Sequence, residues 1–160
     1  MSDLGREVTG PGTVFFTGGV TALLHGWRDT TIDIDLKAMP EPAGFFQALA
    51  LLKEREAVNI ELASPDDFIP EIPGWRERSL FIDRRGIVDF YHYDLYAQAL
   101  AKIERGHMRD LADAESMVAA GLVDRAKLLK LFAQIESGLI RYPAVDAQVF
   151  RRKVESFVAS

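Results

Sequence analysis

Apolar and polar positions alternate most regularly over residues 31–37, TIDIDLK, where Ile32, Ile34 and Leu36 interleave with Asp33 and Asp35. Successive side chains of a strand point to opposite faces, so this stretch predicts a β-strand with two carboxylates on one face and three aliphatics on the other. The preceding run TVFF, residues 13–16, is β-branched and aromatic and stops at Gly18-Gly19, as a buried strand does when it enters a turn. A short helix over 20–25 follows. Helical spacing of apolar residues over 43–55, closing on Lys53 and Arg55, predicts a second helix, and VNIELA over 58–63 predicts a third strand with Asn59, Glu61 and Ala63 on one face. The order is strand, helix, strand, helix, strand.

Prolines 65, 70 and 73 with Gly74 make residues 64–78 a long loop. Residues 79–82 and 87–91 then read as a hairpin around the turn Asp83-Arg84-Arg85-Gly86. From Asp94 the pattern turns helical. Asp94 caps a helix to about Arg105, Gly106 breaks it, a second helix covers 108–120 with Gly121 behind it, Asp124 caps a third to about Ile140, and Asp146 caps a fourth. The expected fold is α/β (α+β), a mixed sheet flanked by helices over residues 1–93 with a helical C-terminal region over 94–160, packed as one compact unit.

Composition narrows the function classes. The chain has 160 residues, 48% hydrophobic and 27% charged, which is ordinary for a globular domain. No apolar run nears the roughly 20 residues that span a bilayer, and the start MSDLGREVTG carries no apolar signal core, so a cytoplasmic protein without a membrane partner is expected. Cysteine is absent, which excludes disulfides and thiolate chemistry. His25, His92 and His107 lack the spacing of a helical zinc motif and show no partner in the sequence, so they are given no role. A net charge of -5 argues against a broad nucleic-acid surface.

The candidate chemistry lies at the first two strands. Gly18-Gly19, between a strand and a helix, lets the backbone approach a ligand, although a tight turn alone selects the same residues. Neither Gly-rich phosphate signature is complete. Aspartate is depleted in strands, so Asp33 and Asp35 cost β-propensity without structural return unless they serve a site. They stand roughly 7 Å apart on one face, a span that one hard cation can bridge. If the strand over 58–63 lies alongside, Glu61 joins them. Three close carboxylates repel one another unless a cation or proton intervenes, and an oxygen-only set suits Mg²⁺ or Mn²⁺. The plain alternative is an exposed acidic strand.

A Gly-Gly turn, a thirteen-residue spacer (20–32) and Asp-Ile-Asp resemble the signature of the nucleotidyltransferase superfamily related to DNA polymerase beta, including its minimal bacterial members. The stretch DLYAQALAKIERGHMRDLADA, residues 94–114, is similar to the Lys, Arg and Arg-Asp pattern of the abortive-infection toxin nucleotidyltransferases. A nearby bacterial family of unknown function shares SPDDFIP and PGWRERSLFI; together these cover residues 13–121. The resemblance implies that Gly18 and Gly19 cradle an NTP triphosphate, that Asp33 and Asp35 bind metal, and that Glu61 is the third ligand or activates the attacking group. It further implies transfer of a nucleotide to a hydroxyl of RNA or protein, with pyrophosphate released, and a cognate toxin or antitoxin partner. Two positions depart from the pattern: many active members have Ser where this chain has Gly19, and the third acid is more commonly Asp than Glu.

Lys102, Arg105 and Arg109 are the cations expected to neutralise nucleotide phosphates, Lys102 and Arg105 sharing one helix face. Ion pairs with Asp110 and Asp113 are the alternative. The charges of WRERS and of Asp83-Arg84-Arg85 read as solvated surface, and Trp27, Trp75 and Tyr91 as packing rather than base-stacking residues. Two functions stay open: a metal-dependent nucleotidyltransferase, or a catalytically silent nucleotidyltransferase fold that binds a nucleotide or a protein partner, for example as an antitoxin.

Overall fold

The computed structural model describes all residues, Met1–Ser160. The chain divides into two units, one of Met1–Ser64 with Ser79–Tyr93 and one of Pro65–Arg78 with Asp94–Ser160. The segment expected to be a loop therefore groups with the helical region.

The first unit is a mixed five-stranded sheet in the order β3-β2-β1-β5-β4. Its strands are β1 (Gly12–Thr17), β2 (Asp33–Ala38), β3 (Asn59–Leu62), β4 (Leu80–Arg85) and β5 (Val88–His92). Central β1 runs antiparallel to β2 and parallel to β5, β2 is parallel to β3, and β4 is antiparallel to β5. Val14 and Phe16, Leu36, Ile60, Val88 and Phe90 build one buried face with Phe45, Leu49 and Leu52 of α3 (Phe45–Glu56) and with Leu4 and Val8 at α1 (Ser2–Glu7). Phe16 and Phe90 stack across β1 and β5 at 5.7 Å. On the opposite face Tyr91 meets Phe15 at 5.5 Å and Phe81 at 5.4 Å, which makes Tyr91 a packing residue.

Three local expectations are corrected here. The strand predicted over 31–37 begins at Asp33, because the Thr31 hydroxyl donates to the Asp33 carbonyl and turns the chain; Ile32 is left outside, 85% exposed. β4 continues through Asp83–Arg85 instead of turning there, its exposed charges pairing as Arg85–Asp83 and Arg84–Asp89, so the hairpin turns at Gly86-Ile87. Helix α1 is an addition that so short a polar stretch does not announce.

The second unit is helical: α4 (Trp75–Arg78), α5 (Leu95–Arg105), α6 (Met108–Ala119), α7 (Arg125–Ile135) and α8 (Ala147–Ala159). Asp94, Asp124 and Asp146 cap α5, α7 and α8, each accepting from backbone N–H groups of the first turn. The helix expected to run to Ile140 stops at Ile135 and tightens into a 3₁₀ segment, Glu136–Arg141. Leu100, Ile103, Met117, Leu128, Phe132, Phe150 and Val154 are fully buried, with Phe132 edge-on to Phe150 at 4.9 Å. No helix is long and apolar enough to cross a membrane.

Arg78 departs from the solvated surface expected of WRERS. Its Nε and Nη2 donate to Asp94 Oδ2 at 3.1 and 2.8 Å, and Asp94 is 0% exposed. Burial raises the Asp94 carboxyl against the pull of Arg78 and of the α5 backbone. Trp75 is buried, as packing requires.

Candidate active site

The acid strand and the glycine turn meet at one edge of the first unit. β1 ends at Thr17, which lies in register with Asp35 of β2, and α2 (Gly18–Leu24) starts directly after it. Gly18 takes a left-handed φ of +61°, and a Cβ there would stand 2.9 Å from Asp35 Oδ2. Glycine is thus required twice over, for the conformation and for the approach of a carboxylate. Gly19 is tight for another reason. A Cβ on it would run into Thr31 Oγ1 and stand 3.5 Å from Arg28 Nη1, so the space that a serine side chain would enter is filled by the Thr31 hydroxyl.

The register places the third acid beside the pair. Asp35 pairs with Glu61 and Asp33 with Asn59 across parallel β2 and β3, so the four polar side chains share one sheet face. Asn59 links two of them: its Nδ2 donates to Asp33 Oδ1 at 2.7 Å and to Glu61 Oε1 at 3.1 Å. Asp33 and Glu61 are exposed and Asp35 is half-buried. As the side chains stand, no three acids or histidines are gathered closely enough to chelate one ion. The three acids nevertheless suit Mg²⁺ or Mn²⁺ in kind, offering carboxylate oxygens only, on adjacent strands.

The loop after α2 is turned back by its own hydrogen bonds. Gly26 N–H donates to Leu23 O at 3.0 Å and Trp27 N–H to Ala22 O at 2.8 Å, with Gly26 at φ +78°, which is the Schellman arrangement of a helix end. Arg28 N–H reaches the same Ala22 carbonyl at 3.3 Å.

Histidine, which the sequence leaves without a role, holds this turn from beneath. Thr21, fully buried on α2, donates its hydroxyl to Phe16 O at 3.4 Å, and His92 Nδ1 lies 3.1 Å from Thr21 Oγ1. With the hydroxyl hydrogen on Phe16 O, His92 donates from Nδ1. His25 donates from Nδ1 to Thr21 O at 3.0 Å and stacks between His92 (4.4 Å) and Trp27 (4.7 Å). Burial, then the neighbouring His25, lowers the His92 pKa to about 4.

A histidine kept neutral by the fold makes stability rise with pH wherever the unfolded chain binds more protons. The unfolded imidazole titrates near 6.5 and the folded one near 4, so the contribution is complete above the first value and lost as pH falls through the second. Urea denaturation should therefore show wild type losing about 2 kcal/mol more than His92→Asn between those two pH values. Parallel curves for the two proteins would contradict it.

The expected cations lie in the second unit, and two are paired. Lys102 Nζ donates to Asp113 Oδ2 at 2.8 Å and stands 3.8 Å from Asp110 Oδ1, all three side chains being buried. Arg105 donates through Nε and Nη2 to Asp110 at 3.1 and 2.6 Å while staying half-exposed. Arg109 is exposed on the first turn of α6.

Comparison with known proteins gives one assignment. No curated protein and no solved structure matches the chain. A family model described as "Nucleotidyltransferase of unknown function (DUF6036)" matches residues 7–158, which takes in both units, the glycine turn and the acid strands. This chain belongs to that family of nucleotidyltransferases of unknown function.

Proposed function

We propose that the protein is a metal-dependent nucleotidyltransferase that moves a nucleotide from an NTP to a hydroxyl of RNA or of a protein, as one member of a toxin–antitoxin or defence pair. The observation that carries this reading is the approach of Asp35 to Gly18, which sets a carboxylate against the glycine turn. The register that lines Glu61 and Asp33 up beside it supports the same reading.

In this reading Asp33 and Asp35 hold Mg²⁺ or Mn²⁺, with Glu61 as third ligand. The metal supplies charge neutralisation at the entering and leaving oxygens of an in-line displacement. Gly18 and Gly19 let the triphosphate lie against the backbone. The acceptor oxygen forms a bond to the α-phosphorus, the bond to the bridging oxygen breaks, and pyrophosphate departs. Where Glu61 is not a metal ligand, it takes the hydroxyl proton and so activates the attacking group. Lys102, Arg105 and Arg109 belong to the second unit, where Lys102 is held by Asp113 and Asp110 and Arg105 by Asp110.

Isothermal calorimetry with Mg²⁺ and each of the four NTPs tests the reading: divalent-dependent binding of at least one is expected, and binding of none would end it. A second reading is favoured by one observation, the Asn59 Nδ2 that donates to both Asp33 and Glu61 and takes up one oxygen of each. It makes the fold catalytically silent, a nucleotide-binding or partner module such as an antitoxin. A partner that co-purifies equally with wild type and with the Asp33→Ala, Asp35→Ala double variant would support it.

A further inference from the structure

We propose that His92, at the end of β5, is a positioning residue of the nucleotide site: through Thr21 it fixes the direction in which the Gly18-Gly19 turn meets the triphosphate of an NTP. The inference rests on the nucleotidyltransferase reading and adds a residue that serves its site from the other face of the sheet.

Two successive glycines leave a turn conformationally free, so the fold has to fix it by other means. Helix α2, which follows the turn, has only seven residues and no side-chain cap at its start, so its placement depends on tertiary contacts. One contact to its first turn is polar. Thr21, two residues after Gly19, is fully buried, donates to Phe16 O at 3.4 Å and stands 3.1 Å from His92 Nδ1. Phe16 O also accepts from Tyr93 N–H at 2.8 Å. The ends of β1 and β5 and the first turn of α2 are thus joined at one point.

Histidine is an unusual residue for that place. Along β5, Val88 and Phe90 belong to the buried face that packs against α3, and period-two alternation puts His92 on the same face, 7% exposed. An aliphatic pair at positions 21 and 92 would fill the space without desolvating a hydroxyl and an imidazole. What the polar pair adds is direction, because a hydrogen bond holds its partners at a set distance and angle where apolar contact lets them slide. His25 braces the ring from the end of α2, donating to Thr21 O at 3.0 Å and lying 4.4 Å from His92. Asp33 and Asp35 alternate with Ile34 and Leu36 of the buried face and so occupy the opposite one, which makes the turn, and not direct contact, the route from His92 to the triphosphate.

Calorimetric titration with each Mg–NTP, alongside thermal melts, would compare wild type with His92→Leu, Thr21→Val, the double variant and His92→Asn. Each of the first two should weaken NTP binding about 10-fold, and the double variant no further, because both changes break one bond. His92→Asn, whose Nδ2 takes the place of Nδ1 as a donor, should bind within about 3-fold of wild type. Val88→Ala, at the other end of the same strand and on the same face, should lower the melt and leave NTP binding unchanged. Wild-type NTP binding in both single variants, additive losses in the double variant, or a His92→Asn as weak as His92→Leu would overturn the inference and leave the nucleotidyltransferase reading standing. An equal loss in Val88→Ala would overturn it too, since binding would then follow overall stability. Should His92→Leu not fold, Thr21→Val set against Thr21→Ser, which keeps the hydroxyl, decides the same question. Failure of wild type to bind any NTP would instead remove the reading itself, and the role of His92 with it.

Discussion

Asp35→Asn is expected to abolish divalent-dependent NTP binding and with it any nucleotide transfer, a loss of at least about 100-fold, while the fold keeps its stability to within about 1 kcal/mol. The two halves of this result have one cause. Asp35 lies against Gly18 on one side and in register with Glu61 on the other, so its charge faces the turn where a triphosphate would lie. Asparagine keeps the shape and one oxygen and removes the charge that holds a cation. It also relieves repulsion among neighbouring carboxylates, so no stability is lost with the function. Asp33→Asn should act in the same direction and also weaken the hydrogen bond that Asp33 accepts from Asn59. Calorimetry and chemical denaturation of the same preparations read both halves. NTP binding that survives Asp35→Asn would favour the silent-fold reading.

Lys102→Ala should produce the largest change in stability, about 3–5 kcal/mol by urea denaturation. The lysine side chain is 7% exposed, and Asp113 and Asp110 are 5% and 3% exposed, so its removal strands carboxylate charge in the interior of the helical unit. Arg105 already serves Asp110. A double variant, Lys102→Met with Asp113→Leu, should recover most of the loss, because apolar residues of similar volume substitute for a buried pair without the cost of desolvating it. Normal stability in Lys102→Ala, accompanied by weakened NTP binding, would make Lys102 a phosphate ligand instead of a structural ion.

The parts of this molecule legible in the sequence are those decided locally. The caps at Asp94, Asp124 and Asp146 work within one helical turn, and the alternation of Asp33 with Asp35 needs only its own strand. Glu61 could be set beside them because period-two alternation in both strands leaves only adjacency to be supplied, and parallel pairing of β2 with β3 supplies it. What the pattern could not reveal depends on long-range or return contacts. The pairing of His92 with Thr21 spans 71 residues, and the amide of Asn59 finds Asp33 across 26. The fate of Lys102 was open in sequence because one spacing serves a phosphate clamp and an ion pair equally; burial of the two aspartates decides where its charge goes.

The central claim is transfer of a nucleotide, and transferred mass tests it most directly. Wild type and Asp35→Asn would be incubated with Mg²⁺, α-labelled NTPs, cellular RNA and cellular protein, and both acceptor pools examined by mass spectrometry. The account predicts a nucleotide-sized increment on one acceptor class with wild type and none with Asp35→Asn. No increment in either pool, with no NTP bound by wild type, would contradict it.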